Sequence, residues 1–572
     1  TIEQNLSIGD AVSVIAQNNI NLTSKNADVT VGKAKVKSEI GDLNISASNI
    51  GLNAESSAQS TNLNAKNTVQ INHNAQVSSQ KNISISANNV GVDGKIYSND
   101  ANINANNNAT LNAGSVVSSI NSNSIKAGQI LSLVDKSNLT AGNTTDLNAA
   151  NITLAGQIQA QTANINATNS LIATNSGLVF ATNVANLNAL NIDLAGKQLA
   201  QNLNITAIKN LNSTGMVSVS NIAQLNAENI TVQGDITASN AVLQAKNSLS
   251  VQNGGSVGAA NNVEAKANTI NIVGSVKSNS TQLTADTDLL LDQNSAVESV
   301  ENIQLNSSNL TVKGNAKAKQ LSAQVQNQLN LDQGSDIQAT ELAQLNALNI
   351  NANGQLTAKV AQLNAKVATN VGKTGSIATI QNTDIKADKI NVDGNLTAQN
   401  LNADAKSTLN VNQTANITTA STAQLKANDL IVAGAINTQD AQLNANNSVN
   451  IAQTANIGTS NNLNITANDA VIMGKVKALN TTIQAANALN LEKNAQLQSA
   501  NLAQLNAKDI MINGQLYTKQ SKINAQNKVN LNQGAELVSS DGIDLNAAQA
   551  NLNGLVNATN ANLTATGVLT VD

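Results

Sequence analysis

The sequence predicts an all-β fold in which one chain winds as a parallel β-solenoid, with three short strands per coil. Three observations carry that reading. Large apolar residues recur 40 residues apart, side chains alternate in and out with period two, and glycines fall at one fixed phase of the repeat.

The repeat is clearest in the second half. Leu345, Ile385, Leu425, Ile465, Leu505 and Leu545 stand 40 apart, and Leu363, Ala403, Leu443, Ile483, Ile523 and Leu563 interleave them. Steps therefore alternate between 18 and 22 residues. The register runs backward through Leu305, Ala265 and Leu225, slips by two before Leu187, and continues to Leu147. An internal period near 20 residues is the mark of a solenoid, because one coil cannot bury its apolar face and a stack can.

Alternation supplies the strands. Leu505 and Ala507 face in with Asn506 out, as do Val529 and Leu531 with Asn530 out. Period two is the signature of a strand. Runs of three to five residues give short strands separated by polar corners. About 28 coils at ~4.8 Å per strand spacing predict a rod roughly 130 Å long.

The third observation is the glycine series Gly234, Gly274, Gly314, Gly354, Gly394, Gly434, Gly474, Gly514 and Gly554, with Gly156, Gly196 and Gly94 in the same place earlier. Three residues separate the second and third strand anchors in a short coil, against five in a long one. A tight corner that needs a positive φ predicts glycine there. One stretch departs from the rhythm: Ile103, Ile125 and Leu147 are spaced 22 and 22, with Val134 where a corner glycine is expected. The sequence thus predicts one continuous solenoid over residues 1–572, with an irregular coil, a bulge or surface loop, at 125–146.

Composition narrows the function. The 572 residues contain no Pro, Cys, Trp or Arg, one Phe (Phe180) and two Tyr (Tyr97, Tyr517). An interior filled by Leu, Ile, Val and Ala without aromatic bulk must be narrow. A net charge of −4 with 31 lysines and no arginine gives no electrostatic footprint for nucleic acid. No apolar run is long enough for a transmembrane helix, so neither nucleic acid nor membrane insertion is expected. Absence of cysteine and proline suits a polypeptide exported unfolded, with no disulfide to form early and no slow isomerisation afterwards. The start lacks an initiator Met and the end stops in mid-coil, so a piece of a longer protein is expected.

No catalytic, cofactor-binding or metal-binding residue is predicted, and an enzyme is not expected. His73 is the lone histidine and has no thiolate beside it to complete a metal site. Asp393, Asp404 and Asp509 read as members of no recurring cluster, whereas glycan hydrolysis needs two carboxylates across one bond. Gly254-Gly255-Ser256-Val257-Gly258 matches the nucleophile-elbow pattern, but that motif requires a helix after the serine. Tyr97 and Tyr517 share an outward phase. Asn346, Asn364, Asn506 and Asn524 each follow an anchor and should stack outward as amide ladders.

The recurrent Ala-Gln-Leu-Asn-Ala strands (343–347, 503–507), with variants such as Leu-Asn-Ala-Lys-Asn (63–67) and Leu-Asn-Ile-Thr-Ala (463–467), resemble the haemagglutinin repeats of filamentous haemagglutinin-like exoproteins. These are the secreted members of two-partner secretion systems, and include adhesins and contact-dependent growth inhibition exoproteins. The resemblance implies a single-chain right-handed parallel β-helix, export through an outer-membrane β-barrel transporter, and display at the bacterial cell surface as a monomeric rod. It implies that regions outside this segment reach a host or neighbouring-cell receptor. The proline-containing motifs of that family's secretion domain are absent. So is the Val-Glu-Asn-Asn motif that precedes many toxin domains, of which Val300-Glu301-Asn302-Ile303 is the nearest counterpart. The expected function is therefore a shaft that holds a binding or toxin-bearing tip away from the cell. Alternatives are a shaft that itself binds a receptor or glycan, a structural fibre of a matrix or phage tail, and, last, a polysaccharide-degrading β-helix.

Overall fold

The computed structural model describes residues 1–572 and consists of strands and turns with no helix. Residues 1–284 and 285–572 form two compact units. Each is a β-solenoid in which every strand pairs in parallel with its equivalent one coil on.

In the second unit the anchors form one buried column. Leu345 pairs with Leu363, Leu363 with Ile385, Ile385 with Ala403 and Ala403 with Leu425. The column continues through Leu443, Ile465, Ile483, Leu505, Ile523 and Leu545. All of these residues are buried. Full burial of a Leu or Ile side chain is worth about 1.5–3 kcal/mol, set against about 1–2 kcal/mol of backbone entropy per ordered residue. A narrow interior can afford few polar positions on such a margin.

Each coil has three faces. In the short coil of Leu345 these are residues 342–347, 349–352 and 355–358, and in the following long coil 360–365, 368–371 and 376–379. The strands have the same length in both, so the four extra residues of a long coil lie entirely in its corners. The first corner grows from one residue to two, the second from two to four, and the third from one to two.

The first unit follows the same rule and explains both departures from the 40-residue rhythm. Leu187 pairs with Ile205 and Ile205 with Leu225, steps of 18 and then 20. The second corner of that 20-residue coil contains only Thr214 and Gly215 between Ser213 and Met216, and this accounts for the two-residue slip. At 125–146, Ile125 pairs with Leu147, and residues 134–137 make a four-residue corner closed by the Ser137 amide donating to Val134 O, 3.0 Å. The same corner occurs one coil earlier at 112–115. This stretch is thus a second long coil in succession, and Val134 opens a wide corner where the rhythm predicts a tight one.

The glycine expectation requires a correction. Positive φ occurs at Gly114, Gly254, Gly334 and Gly534, all third in wide four-residue corners, and not at any member of the Gly234–Gly554 series. The series is glycine because of close approach. A Cβ on Gly514 would collide with Glu492 O and sit 2.7 Å from Ala495 O, both backbone atoms of the wide corner one coil below. Gly354 is confined in the same way by Asp332 O at 2.6 Å. A tight corner stacked on a wide one leaves no room for a methyl group.

Several core positions are polar, among them Thr145, Ser213, Thr369 and Gln198. Gln198 is 1% exposed and stands in the column between Val179 and Val217, yet neither its Oε1 nor its Nε2 has a hydrogen-bond partner. A buried amide without partners costs about 1–3 kcal/mol. Gln198→Val, which matches its neighbours and removes the unpartnered amide, is expected to raise stability by about 2 kcal/mol. A urea titration of the two proteins checks this, and an unchanged or lowered midpoint contradicts it.

Candidate functional site

Parallel in-register stacking places like side chains directly above one another, so the outer surface is built of columns. The expected first-face amide ladder is present. Asn364 Nδ2 donates to Asn346 Oδ1 at 3.0 Å, Asn524 to Asn506 at 3.0 Å and Asn546 to Asn524 at 3.2 Å. In the first unit Asn166 donates to Asn148 at 3.3 Å and Asn188 to Asn166 at 2.9 Å; a separate column just before the anchors links Asn186 to Asn164 at 2.8 Å and Asn204 to Asn186 at 2.9 Å. The second face carries a longer ladder that the sequence reading misses. Asn351, Asn370, Asn391 and Asn410 donate in turn to Asn330, Asn351, Asn370 and Asn391 at 2.8–2.9 Å. Each such bond is worth about 1 kcal/mol net. It also commits an outward amide to its neighbour rather than to a ligand.

Carboxylates join the same scheme. Asp509 is not isolated, contrary to its reading from the sequence, but belongs to a row with Asp429 and Asp469, again 40 apart. Each accepts from the coil above: Asp429 from Ser448 at 2.7 Å and Asn447 at 2.6 Å, Asp469 from Asn487 at 2.8 Å, and Asp509 from Asn527 at 2.8 Å. The hydroxyl of Ser448 and the amide of Asn447 hold the Asp429 carboxyl below its ordinary value. Its stabilising contribution is present above the unfolded carboxyl range near pH ~4 and fades as pH falls through the lower folded value. These acids serve as hydrogen-bond acceptors within the stack. No group of three or more His, Cys, Asp or Glu side chains lies at metal-binding spacing.

The other residues singled out in the sequence lie apart. His73 is exposed in the wide corner 72–75. Ser256 opens the strand Ser256–Ile272, with no helix after it, and donates to Asp235 at 2.6 Å. Asp393 accepts from Asn412 at 3.0 Å, and Asp404 faces Lys426 at 3.6 Å. Tyr517 donates to Glu536, and this hydrogen bond raises the phenol above its ordinary value. Phe180 stacks outward beside Leu199.

Axial grooves run between the columns, two of them as follows. One, of about 750 Å³, follows the first corner from Thr466 to Thr566; it is floored by Ala467, Ala485, Ala507, Ala525 and Ala547 and walled by Asn and Gln. The other, of about 520 Å³, follows the third corner from Lys37 to Ile120; half of its lining residues are serine, and Tyr97 stands in it. Both are shallow channels between side-chain columns, and in the second Lys37 is paired with Glu39 at 3.4 Å. The sequence matches no protein-family model, no curated protein and no solved structure.

Proposed function

We propose that this protein is a spacer, the shaft of a large secreted surface exoprotein of the adhesin or growth-inhibition type, which projects a binding or toxin-bearing tip. The observation that carries the reading is the recurrence of polar columns along the outer surface. Its polar side chains are arranged in repeating columns and hydrogen-bonded to their own equivalents one coil away. Specific interfaces concentrate their energy in Trp, Tyr and Arg, and this sequence has two Tyr and none of the others. A surface that repeats every coil offers no unique address. Its physical role is to fix distance, one coil at a time. Export through an outer-membrane β-barrel partner and recognition by regions beyond this segment follow from the haemagglutinin-repeat resemblance.

Excision of residues 425–464 from the parent protein tests the proposal. Gln424 then joins Ile465, which occupies the column position of Leu425. Surface display and target binding are expected to persist. Loss of binding with display and folding intact would make this segment a recognition surface and would defeat the spacer reading.

A further inference from the structure

We propose that Asn253 is a site of spontaneous covalent modification, converting to aspartate and isoaspartate through a cyclic imide with Gly254. The inference does not depend on the spacer reading. In the first step the Gly254 backbone nitrogen attacks Asn253 Cγ. A new bond forms between that nitrogen and Cγ, the Cγ–Nδ2 bond breaks, and ammonia leaves carrying the displaced proton. Water then adds to one of the two imide carbonyls. Opening at Cγ restores the ordinary backbone with an aspartate side chain. Opening at the main-chain carbonyl routes the backbone through the side chain and leaves isoaspartate. No oxidant or reductant is involved.

A following side chain hinders the attack, so Asn-Gly pairs are the susceptible ones. The sequence has four: Asn253-Gly254, Asn353-Gly354, Asn513-Gly514 and Asn553-Gly554. The fold treats them differently. Asn353 and Asn513 occupy tight corners, where the attacking nitrogen is held. Gly354 N donates to Leu331 O at 3.0 Å and Gly514 N to Leu491 O at 3.1 Å. The preceding amides of Asn353 and Asn513 donate to the same two carbonyls at 2.7 Å, and Asn513 Oδ1 accepts from Asn532 at 2.6 Å. Cyclisation there requires the coil to open.

Asn253 sits in a wide corner instead. Its side chain is exposed and makes no hydrogen bond, and Gly254 N has no partner. Gly254 has φ +82, and nothing lies within 4 Å of the space a side chain would fill. Only the Gly255 amide, donating to Gln252 O at 2.9 Å, closes the turn. Asn553 is intermediate, because its own amide donates to Leu531 O at 2.7 Å while Gly554 N is unbonded. The predicted order in the folded protein is Asn253 first, Asn553 second, and Asn353 and Asn513 last.

The test is peptide mapping by mass spectrometry of the folded protein aged in mildly alkaline buffer, with isoaspartate-specific methyl transfer as a second readout. A parallel sample is aged unfolded in urea. In the folded sample Asn253 should convert at least about tenfold faster than Asn353 and Asn513, which react only from locally opened states. In urea the four sites should converge. N253S should remove the earliest methyl-accepting species and leave the thermal transition unchanged. Equal rates at Asn253 and Asn353 in the folded protein, or the same rate order in urea as in the fold, would overturn the proposal.

Discussion

Gly234→Val is expected to destabilise the first unit by about 3 kcal/mol or more, the upper end of what overpacking a rigid site costs. The added Cβ collides with Gly215 O and lies 2.6 Å from both Thr214 C and Thr214 O. These are backbone atoms of the coil below, so no side chain can rotate out of the way. Relief requires the two coils to separate, which loosens the bonds from Gln233 N to Ser213 O at 2.8 Å and from Asp235 N to Gly215 O at 3.1 Å. Gly254→Ala is the contrast. Its Cβ meets open space, and the cost is the positive φ alone, about 1–2 kcal/mol. Denaturant titrations of both variants, with hydrogen exchange over residues 213–238, measure the difference. Equal costs would contradict the close-approach account of the tight corners.

Deletions in the second unit are expected to depend on register rather than on length. Removing 425–464 keeps each anchor above its equivalent, and melting should change little. Removing 425–442 also joins Gln424 to an anchor, Leu443, and leaves two long coils in succession. The protein already uses that arrangement at 103–147. Removing 425–463 takes one residue fewer than 40, and a one-residue slip turns a strand inside out. That coil must either bury Gln424 or form a bulge that interrupts the pairing. A buried unpartnered amide alone costs about 1–3 kcal/mol. The 39-residue deletion should therefore melt lower than both larger and smaller in-register deletions. A smooth decline with the number of residues removed would contradict this.

Much of the fold was legible because a solenoid writes its contacts into one dimension. Residues a coil apart in sequence are neighbours in space, so the recurrence of Leu345, Ile385 and Leu425 is itself a contact map. The ladder at Asn346 and Asn364 was legible for the same reason. The glycine series was legible in position but not in cause. A fixed glycine meets either a dihedral demand or a steric one, and only the carbonyls of Glu492 and Ala495 beneath Gly514 distinguish them. The row of Asp429, Asp469 and Asp509 required reading acids by phase of the repeat rather than one by one. At Gln198 two cues conflict. Hydrophobicity places Leu199 inside, whereas the phase set by Gly196 places Gln198 inside, and the backbone follows the glycine.

The central claim is that coil number sets distance. Lys373 and Gln533 are exposed at the same place in wide corners 160 residues, hence eight coils, apart. The protein has no cysteine, so Lys373→Cys and Gln533→Cys accept a unique pair of spin labels. Pulsed dipolar spectroscopy should give a narrow distribution near ~38 Å, falling to ~29 Å when residues 425–464 are removed, at ~4.8 Å per coil. An unchanged separation, or a broad distribution in either protein, would contradict the account.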